Sequence, residues 1–281
     1  MNDSDPVITR PFIHIKPRKG WQLIDFSELK GYRDLLYFLV LRDIKVKYKQ
    51  TVLGGLWAVI QPFCSMVLFS LLFGTLAKMP SDGVPYPVFS YSALVAWTYF
   101  AHALSGSGTS LIANTSLISK VYFPRLIIPF SPVLAGLLDF GIAFLVLIGM
   151  MLYFQIYPTV FVVFLPLLIV LMIMTASGAG MILGALNAKY RDIGYTIPFL
   201  VQLWMFASPV VYPASMVPEK YRLLYGINPM CGIIEGFRSA LLGTIPFPTT
   251  LILVSVIAST GLFFAGLFYF KQVERYFADI L

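Results

Sequence analysis

The stretch Leu117–Pro129, LISKVYFPRLIIP, is a short basic and aromatic interruption between two long apolar segments. Lys120 and Arg125 flank an aromatic, proline-containing centre at Val121–Pro124. Because only 12% of the chain is charged, polar groups gathered between apolar segments belong outside the hydrocarbon of a membrane. We expect this stretch to be a cytoplasmic surface on which a second protein pushes. A loop that merely sets topology by its positive charge is the alternative.

The composition places most of the chain in lipid. Hydrophobic residues make up 58% of the 281 residues and the mean hydropathy is +0.82, more than one soluble core can bury. The net charge of +7 also occurs in nucleic-acid-binding proteins, but here the basic residues gather beside apolar segments, where they set topology. Cys64 and Cys231 form neither a CxxC motif nor a disulfide framework. The polar first 20 residues lack the apolar core of a secretory signal, so we expect the N-terminus to stay untranslocated.

Six apolar segments are long enough to cross a membrane as helices, which predicts an all-α integral membrane protein. Their approximate bounds are 52–77, 88–104, 129–154, 160–186, 193–212 and 251–270. We expect a cytoplasmic arm at 1–24, an amphipathic helix at 25–51 and a cytoplasmic tail at 271–281. Small residues are expected to loosen the end of the second span: Gly106, Ser107, Gly108 and Ser110.

The basic residues predict the orientation of these spans. The six-span topology leaves sixteen of the 20 Lys and Arg residues on the inner side. That bias predicts that both termini are cytoplasmic, by the positive-inside rule. The four basic residues on the outer side are Lys78, Lys220, Arg222 and Arg238.

An amphipathic helix is predicted before the first span. Asp25 and Glu28 have the spacing of a capping box, and apolar residues then recur at helical spacing up to Val40. Residues 42–49 alternate with period two as a strand would, but an unpaired strand beside a membrane would leave its backbone groups unmatched, so we predict a helix there. We expect it to lie in the membrane interface. Its candidate interface residues are Leu35, Leu36, Leu39, Arg42, Lys45 and Lys47.

The segment 213–248 is too polar and too broken to cross the membrane. Within it, Met230–Leu242 is amphipathic at helical spacing. We predict a pair of short re-entrant helices that dip into the outer leaflet and cover the exit of a path; a surface loop with one helix resting on the membrane is the alternative. The candidate outer-gate residues are Asn228, Pro229, Ile233, Glu235, Phe237 and Arg238.

The sequence contains no pattern typical of catalysis or metal binding. His14 and His102 lack a cluster of ligands at metal-binding spacing, and no Gly-Lys dipeptide is present, which excludes a P-loop. Asp139 is the one acidic residue well inside a span, where a charge costs about 2.5–3.5 kcal/mol. It is interpreted either as part of a proton relay or as a carboxylate hydrogen-bonded within the bundle.

Aromatic residues, 16% of the chain, suggest a track for sugar rings. Inward-facing rings can stack on the apolar C–H faces of sugars, although Trp and Tyr near span ends also serve as ordinary interfacial anchors. A small-xxx-small pattern at Gly180–Gly184 predicts close helix packing in lipid. The candidate channel aromatics are Trp57, Phe63, Trp97, Tyr99, Phe100, Trp204 and Phe206.

Four segments, in this order, resemble the ABC-2 type permeases that export polysaccharides, the family of O-antigen (Wzm-type), capsule and teichoic acid exporters. The resemblance spans residues 30–270 approximately. The segments are RDIKVKYKQTVLGGLWAVIQP at Arg42–Pro62, the stretch Leu117–Pro129, RDIGYTIPFLVQLWMFASPVVYP at Arg191–Pro213, and NPMCGIIEGFR at Asn228–Arg238.

The resemblance implies a transport subunit of the cytoplasmic (inner) membrane and not an enzyme. It implies a homodimer paired with two copies of a separate ATP-binding subunit, which would bind ATP and Mg²⁺, while this chain binds no cofactor and no nucleic acid. The cargo would be a polyprenyl-linked polysaccharide, with O-antigen as the first choice. The opening stretch would then be a coupling helix seated in the ATP-binding subunit, with coupling residues Leu117, Ser119, Lys120, Val121, Tyr122, Phe123, Pro124 and Arg125.

The residues alone leave three other functions open. An ABC-2 exporter of a small lipid or drug would need no aromatic track. A membrane-embedded glycosyl or phosphoglycosyl transferase would need acidic metal-binding pairs on a cytoplasmic loop, where only Asp192 is available. A proton-coupled carrier would need several acids inside its spans, and only Asp139 is found.

Overall fold

A computed structural model describes residues 30–49, 54–243 and 245–274, and the regular elements in those ranges are all helices. The predicted arm at 1–24, the capping box at Asp25 and Glu28, His14 and the last seven residues of the tail lie outside the described residues. The α-helices are α1 Arg33–Lys49, α2 Trp57–Phe69, α3 Tyr86–Ala113, α4 Thr115–Lys120, α5 Ile127–Tyr153, α6 Leu165–Lys189, α7 Ile193–Phe206, α8 Glu219–Gly226, α9 Pro229–Leu242 and α10 Thr249–Glu274.

Within the described residues, four helical segments are long and apolar enough to cross a membrane. They are Gly54–Leu76, Ile127–Tyr153, Val160–Lys189 and Thr249–Glu274. The first consists of a 3₁₀ turn, α2 and a π-helical turn at Ser70–Leu76, in which the Ala77 amide donates to the Leu72 carbonyl at 2.9 Å. These four segments correspond to the first, third, fourth and sixth segments predicted from the sequence.

Helix α3 occupies the centre of the bundle and packs against α2, α5, α6, α7 and α9. It has 28 residues and is buried along most of its length. The expectation that small residues loosen it after residue 104 is wrong, since the helix continues to Ala113. Those residues are contact points: a Cβ on Gly106 would lie 2.9 Å from Pro132, and one on Gly108 would lie 2.8 Å from Ile197.

Helix α7 is shorter than the segment 193–212 predicted from the sequence. Its 14 residues span about 21 Å, less than the roughly 30 Å of hydrocarbon in a bilayer. The chain then turns through 207–213 and is held by hydrogen bonds from other elements, among them one from the Tyr86 hydroxyl to the Val211 carbonyl at 2.6 Å. The proline at 209 lies in this turn and not in the helix.

Two pairs of helices pack at glycine positions. Gly184 of α6 would place a Cβ 3.2 Å from the Ser107 carbonyl oxygen of α3, so the close packing predicted for Gly180–Gly184 is confirmed. Gly178 of α6 faces α10, where a Cβ would come within 2.7 Å of the Phe263 Cα atom. The absence of a side chain at these positions lets the helix backbones touch, which fixes α6 against both α3 and α10.

Candidate functional site

The stretch Leu117–Pro129 forms the end of α4 and the turn before α5, and part of it projects from the surface. Lys120, Val121 and Tyr122 are exposed, with Val121 at 52% and Tyr122 at 70% of their full exposure. We call these three residues the tip. Ser119 beside them is exposed, and Leu117 is half-buried. An exposed aromatic and aliphatic pair next to a lysine is a surface that a protein partner can bind.

The other residues of the same stretch hold the tip in place. Phe123 and Pro124 are buried immediately after it, and Ile118 is buried two residues before it. Ile118 and Phe123 join a cluster drawn from α3, α4, α5, α6 and α10, so displacement of the tip would be passed to the bundle. The buried residues of the cluster are Leu111, Ile118, Phe123, Leu126, Ile128, Met181, Ala185, Ala188, Leu267 and Phe270.

Arg125 differs from the exposed basic residue that the sequence suggested. Its side chain is half-buried, and its Nη1 donates to the main-chain carbonyl of Glu274 at 2.5 Å. A guanidinium at the last carbonyl groups of a helix is favourable both as a hydrogen bond and through the helix dipole. Arg125 therefore ties the turn to the end of α10, while Lys120 provides the accessible charge.

Helix α1, the predicted interface helix, packs along α5. Leu39 is buried, Leu35 packs against the cluster beneath the tip, and Leu36 is half-buried. Residues 42–49, which alternate as a strand would, lie within this helix. Lys45 is exposed and lies beside Phe38, Leu41 and Arg42 in a groove along α1.

Polar contacts fix α1 to the bundle at two places along residues 42–43. Arg42 donates through Nη1 to the Asn114 side-chain oxygen at 2.7 Å, and Asn114 lies between α3 and α4. Asp43 accepts a hydrogen bond from the Ser131 hydroxyl of α5 at 2.5 Å. The first contact brings α1 directly to the helix that carries the tip.

Asp139 of α5 has both carboxylate oxygens bound by α1. One oxygen accepts from the Lys47 ammonium and the other from the Tyr48 hydroxyl. The Asp139 side chain is 13% exposed and that of Lys47 is 45% exposed. The hydrogen-bonded interpretation of Asp139 therefore has its partners, but they come from α1 and not from within the bundle. Sequence reasoning gave no signal for this pairing.

A cavity of about 50 Å³ lies beside Asp139. Lys47, Gln61 and His102 are among the residues that line it, most of its surface is apolar, and its volume is large enough for a few water molecules. Across the described ranges, no group of three or more His, Cys, Asp or Glu residues could hold a metal ion. His102 thus lies near a charged pair and not in a ligand cluster.

The candidate channel aromatics are not brought together on one surface. Trp97, Tyr99 and Phe100 are buried inside the bundle, where Phe100 packs 4.9 Å from the ring of the half-buried Trp204. Their rings are not accessible to a sugar in this conformation. The exposed members of the set are Trp57, Phe63 and Phe206.

Every residue of α9 is buried, which argues against a helix that merely rests on the membrane. Among the candidate gate residues, Pro229, Ile233 and Phe237 lie in the main hydrophobic core or beside it. Asn228 caps α9 by accepting from the Met230 amide at 3.1 Å, and its side-chain oxygen also accepts from the Trp204 indole N–H at 2.8 Å. Asn228 thereby joins the start of α9 to the end of α7.

Glu235 and Arg238 form a buried ion pair on α9. Arg238 is 1% exposed, and its Nη1 donates to Glu235 Oε1 at 3.1 Å. Its Nη2 donates to the Val210 carbonyl at 2.8 Å, and the Ala214 amide donates to Glu235 at 2.9 Å. The guanidinium lies 3.7 Å from the ring centroid of Phe89. The pair therefore holds the turn after α7 against the first turn of α3, at the end of α3 opposite to the tip.

Helix α8 lies outside the candidate spans and adds one polar contact that the sequence did not reveal. The Tyr225 hydroxyl donates to the Tyr212 hydroxyl at 3.1 Å. Burial raises the pKa of Tyr225 well above its usual value, so its hydroxyl keeps its proton at neutral pH. Leu223 and Leu224 of α8 are exposed.

Comparison with known proteins gives a consistent family match. The model of the family described as "ABC-2 type transporter" matches residues 34–242. The O-antigen export system permease protein RfbA of Myxococcus xanthus is 31% identical over 216 residues, 75% of this chain and 82% of that protein. The protein of the same name from Klebsiella pneumoniae is 29% identical over 252 residues, 88% of this chain and 95% of that protein. The polysialic acid transport protein KpsM of Escherichia coli is 25% identical over 73% of this chain and 80% of its own length.

Proposed function

The chain belongs to the ABC-2 type transporter family, and we propose that it is the membrane-spanning permease subunit of an ATP-driven exporter of a lipid-linked polysaccharide. The observation that carries this proposal is the near end-to-end match with O-antigen export permeases, over 252 residues and 95% of one of them. O-antigen is therefore the cargo we propose. Since its relatives are transport permeases, ATP hydrolysis is assigned to a separate subunit that binds ATP and Mg²⁺.

The proposed architecture has six spans with both termini in the cytoplasm of a cell that exports through its inner membrane. Four spans are the long apolar helical segments, α3 is assigned to the second, and α7 together with the turn that follows it is assigned to the fifth. α1 is assigned to the inner side, where it runs along α5 from the membrane interface as far as Asp139, and α8 with α9 to a re-entrant pair on the outer side. The two ends of α3 support this assignment, because α4 and the tip follow its C-terminal end, whereas the turn after α7 is bonded to its N-terminal end.

We propose that two copies of this chain form a homodimer and that each tip docks into one ATP-binding subunit. The tip is exposed, carries a lysine and two apolar side chains, and sits on a cluster shared by four long helices. A push on the tip would thus reach several spans at once. In this proposal Arg125 keeps the turn rigid by its bond to the end of α10.

The test reverses the lysine charge and removes the tyrosine ring at the tip, and compares the result with the same two changes on α8. In the complex with its ATP-binding subunit, Lys120→Glu with Tyr122→Ala should lower copurification of that subunit and ATP-dependent export about tenfold. The matched control is Lys220→Glu with Tyr221→Ala on α8, where both side chains are also exposed. Equal export by the tip variant and the control would refute docking at the tip.

The exporter itself is tested with the unaltered complex in liposomes. Polysaccharide should appear inside inverted vesicles only when both subunits and ATP are present. Export by this chain alone would overturn the proposed function. A capsule polysaccharide is the second candidate cargo, favoured by the match with the polysialic acid transport protein. Transport of the capsule glycan but not the O-antigen glycan would replace the first cargo with the second.

A further inference from the structure

The acid in the middle of α5 is bound by a helix that is remote in sequence. Asp139 lies near the midpoint of Ile127–Tyr153, and its partners Lys47 and Tyr48 precede it by 92 and 91 residues. A charge inside a span is costly to insert, so an acid at this position must be stabilised by contacts that a leucine would not make. Its contacts in the structure are directed at α1.

The same helix contacts the segment that carries the tip. Arg42 lies five residues before Lys47, about 7.5 Å along the helix axis, and binds the Asn114 side chain at 2.7 Å. Asn114 also accepts the main-chain hydrogen bond from Leu117, at the start of α4. α1 is thus bonded at one point to the tip-bearing helix and at another to the middle of α5.

We propose that Lys47, Tyr48 and Asp139 form a joint through which movement of the docked tip reaches α5 by way of α1. This inference rests on the proposed function, because it requires a partner that moves the tip. The three residues act as positioning residues: when together they hold the end of α1 in a defined register on α5, and when apart they free that end while the bond from Ser131 to Asp43 still holds the helix. An apolar contact in the same place would allow α1 to slide, whereas two directed bonds to one carboxylate favour one arrangement.

The surroundings of the joint suit a contact that opens and closes. Lys47 is 45% exposed, so its ammonium can regain water when it leaves Asp139. The cavity of about 50 Å³, which both Lys47 and Asp139 line, has room for water near the carboxylate. A dry ion pair would be much more costly to separate, because each charge would lose its partner without gaining solvent.

The test measures polysaccharide exported per ATP hydrolysed by the whole complex in liposomes. Asp139→Asn should leave assembly and ATP hydrolysis in place and lower that ratio about tenfold. Tyr48→Phe removes a single hydroxyl and should lower it by about two- to tenfold, the effect of one hydrogen bond. The exchange Lys47→Asp with Asp139→Lys should restore a large part of the ratio, which a purely structural role would not predict.

Lys49→Gln is the matched control, since Lys49 is an exposed lysine of the same helix. The joint is overturned if Asp139→Asn keeps the full ratio or if Lys49→Gln lowers it equally. It is also overturned if assembly, hydrolysis and export fall together, because Asp139 would then serve only stability.

A second readout does not depend on export, so it separates failure of the joint from failure of the proposed function. Spin labels at Lys49 and at the exposed Leu145 of α5, with Cys64 replaced by serine, report the distance between the two helices. ATP should change this distance in the unaltered complex, and Asp139→Asn should reduce the change. A complex that shows the ATP-dependent change but exports no glycan would contradict only the proposed function. An equal distance change in both complexes would contradict only the joint.

Discussion

Replacing Arg238 with methionine should be among the most destabilising single changes in the chain. The substitution keeps most of the volume and removes the charge. Glu235 would remain buried with only the Ala214 amide as a partner, and the carbonyl oxygens of Val210 and Tyr212 would each lose a donor. The contact between the guanidinium and the Phe89 ring would also be lost.

The expected magnitude follows from the burial of the pair. Both side chains are 1% exposed, and removing one partner of such a pair costs about 3–5 kcal/mol because the other charge is left unpaired. At 1.4 kcal/mol per factor of ten, this is roughly a hundredfold to several thousandfold in the unfolding equilibrium. The exposed pair of Arg222 with Glu219, 3.9 Å apart on α8, should contribute about 1 kcal/mol or less.

The assay is equilibrium unfolding of the purified protein in mixed micelles, with Arg222→Met as the control. The double variant Glu235→Leu with Arg238→Met should recover most of the loss, since it leaves no charge behind and both Glu235 Oε2 and Arg238 Nε already lack a protein partner. A loss below about 1 kcal/mol for Arg238→Met would refute the reasoning. A double variant as unstable as the single one would refute it as well.

Two further predictions use the same unfolding assay. Gly266→Ala should lower the free energy of unfolding by about 1–3 kcal/mol, because its Cβ would lie 2.9 Å from the Gly178 Cα atom and push α10 away from α6. The control Gly261→Ala on the same helix meets nothing within 4 Å and should be neutral or slightly stabilising. Equal effects of the two substitutions would contradict the packing explanation. Asn228→Ala should lower the free energy of unfolding by about 1–2 kcal/mol and shift the tryptophan emission, since it removes both the cap of α9 and the acceptor of the Trp204 indole N–H. Unchanged stability and emission would contradict the hydrogen bond between Asn228 and Trp204.

The all-helical fold class could be predicted because long apolar segments in a membrane have few alternatives to a helix. Segments such as 129–154 and 160–186 are long apolar stretches, and in lipid an isolated segment can pair all its backbone N–H and C=O groups only by forming a helix. The same reasoning predicted the helix over residues 42–49 against their period-two alternation. In the structure Arg42, Asp43, Lys47 and Tyr48 each contact a polar group outside α1, and these positions do not follow the period of two.

The end of α3 could not be predicted because glycine and serine occur both at the ends of helices and at close contacts between helices. In a soluble loop they mark a break, and at a helix contact in lipid they allow close approach. Gly106 and Gly108 belong to the second kind, but only the positions of Pro132 and Ile197 reveal it. The partner of Asp139 was hidden for a similar reason, since 92 residues separate it from Lys47 and no local pattern connects them.

The ion pairs Glu235–Arg238 and Lys47–Asp139 have opposite mechanical consequences. Glu235 and Arg238 are three residues apart on one helix, so a rigid-body motion of α9 does not part them, and the bond from Arg238 to the Val210 carbonyl links the turn after α7 to α9. Lys47 and Asp139 lie on two different helices, so a small rotation of α1 against α5 can part them while both helices stay intact. If the permease changes shape during transport, the cheaper motion is therefore at α1, and the region around α9 follows as a rigid body. This asymmetry assigns the moving contact to the helix that also touches the tip-bearing segment, where a motor subunit would act.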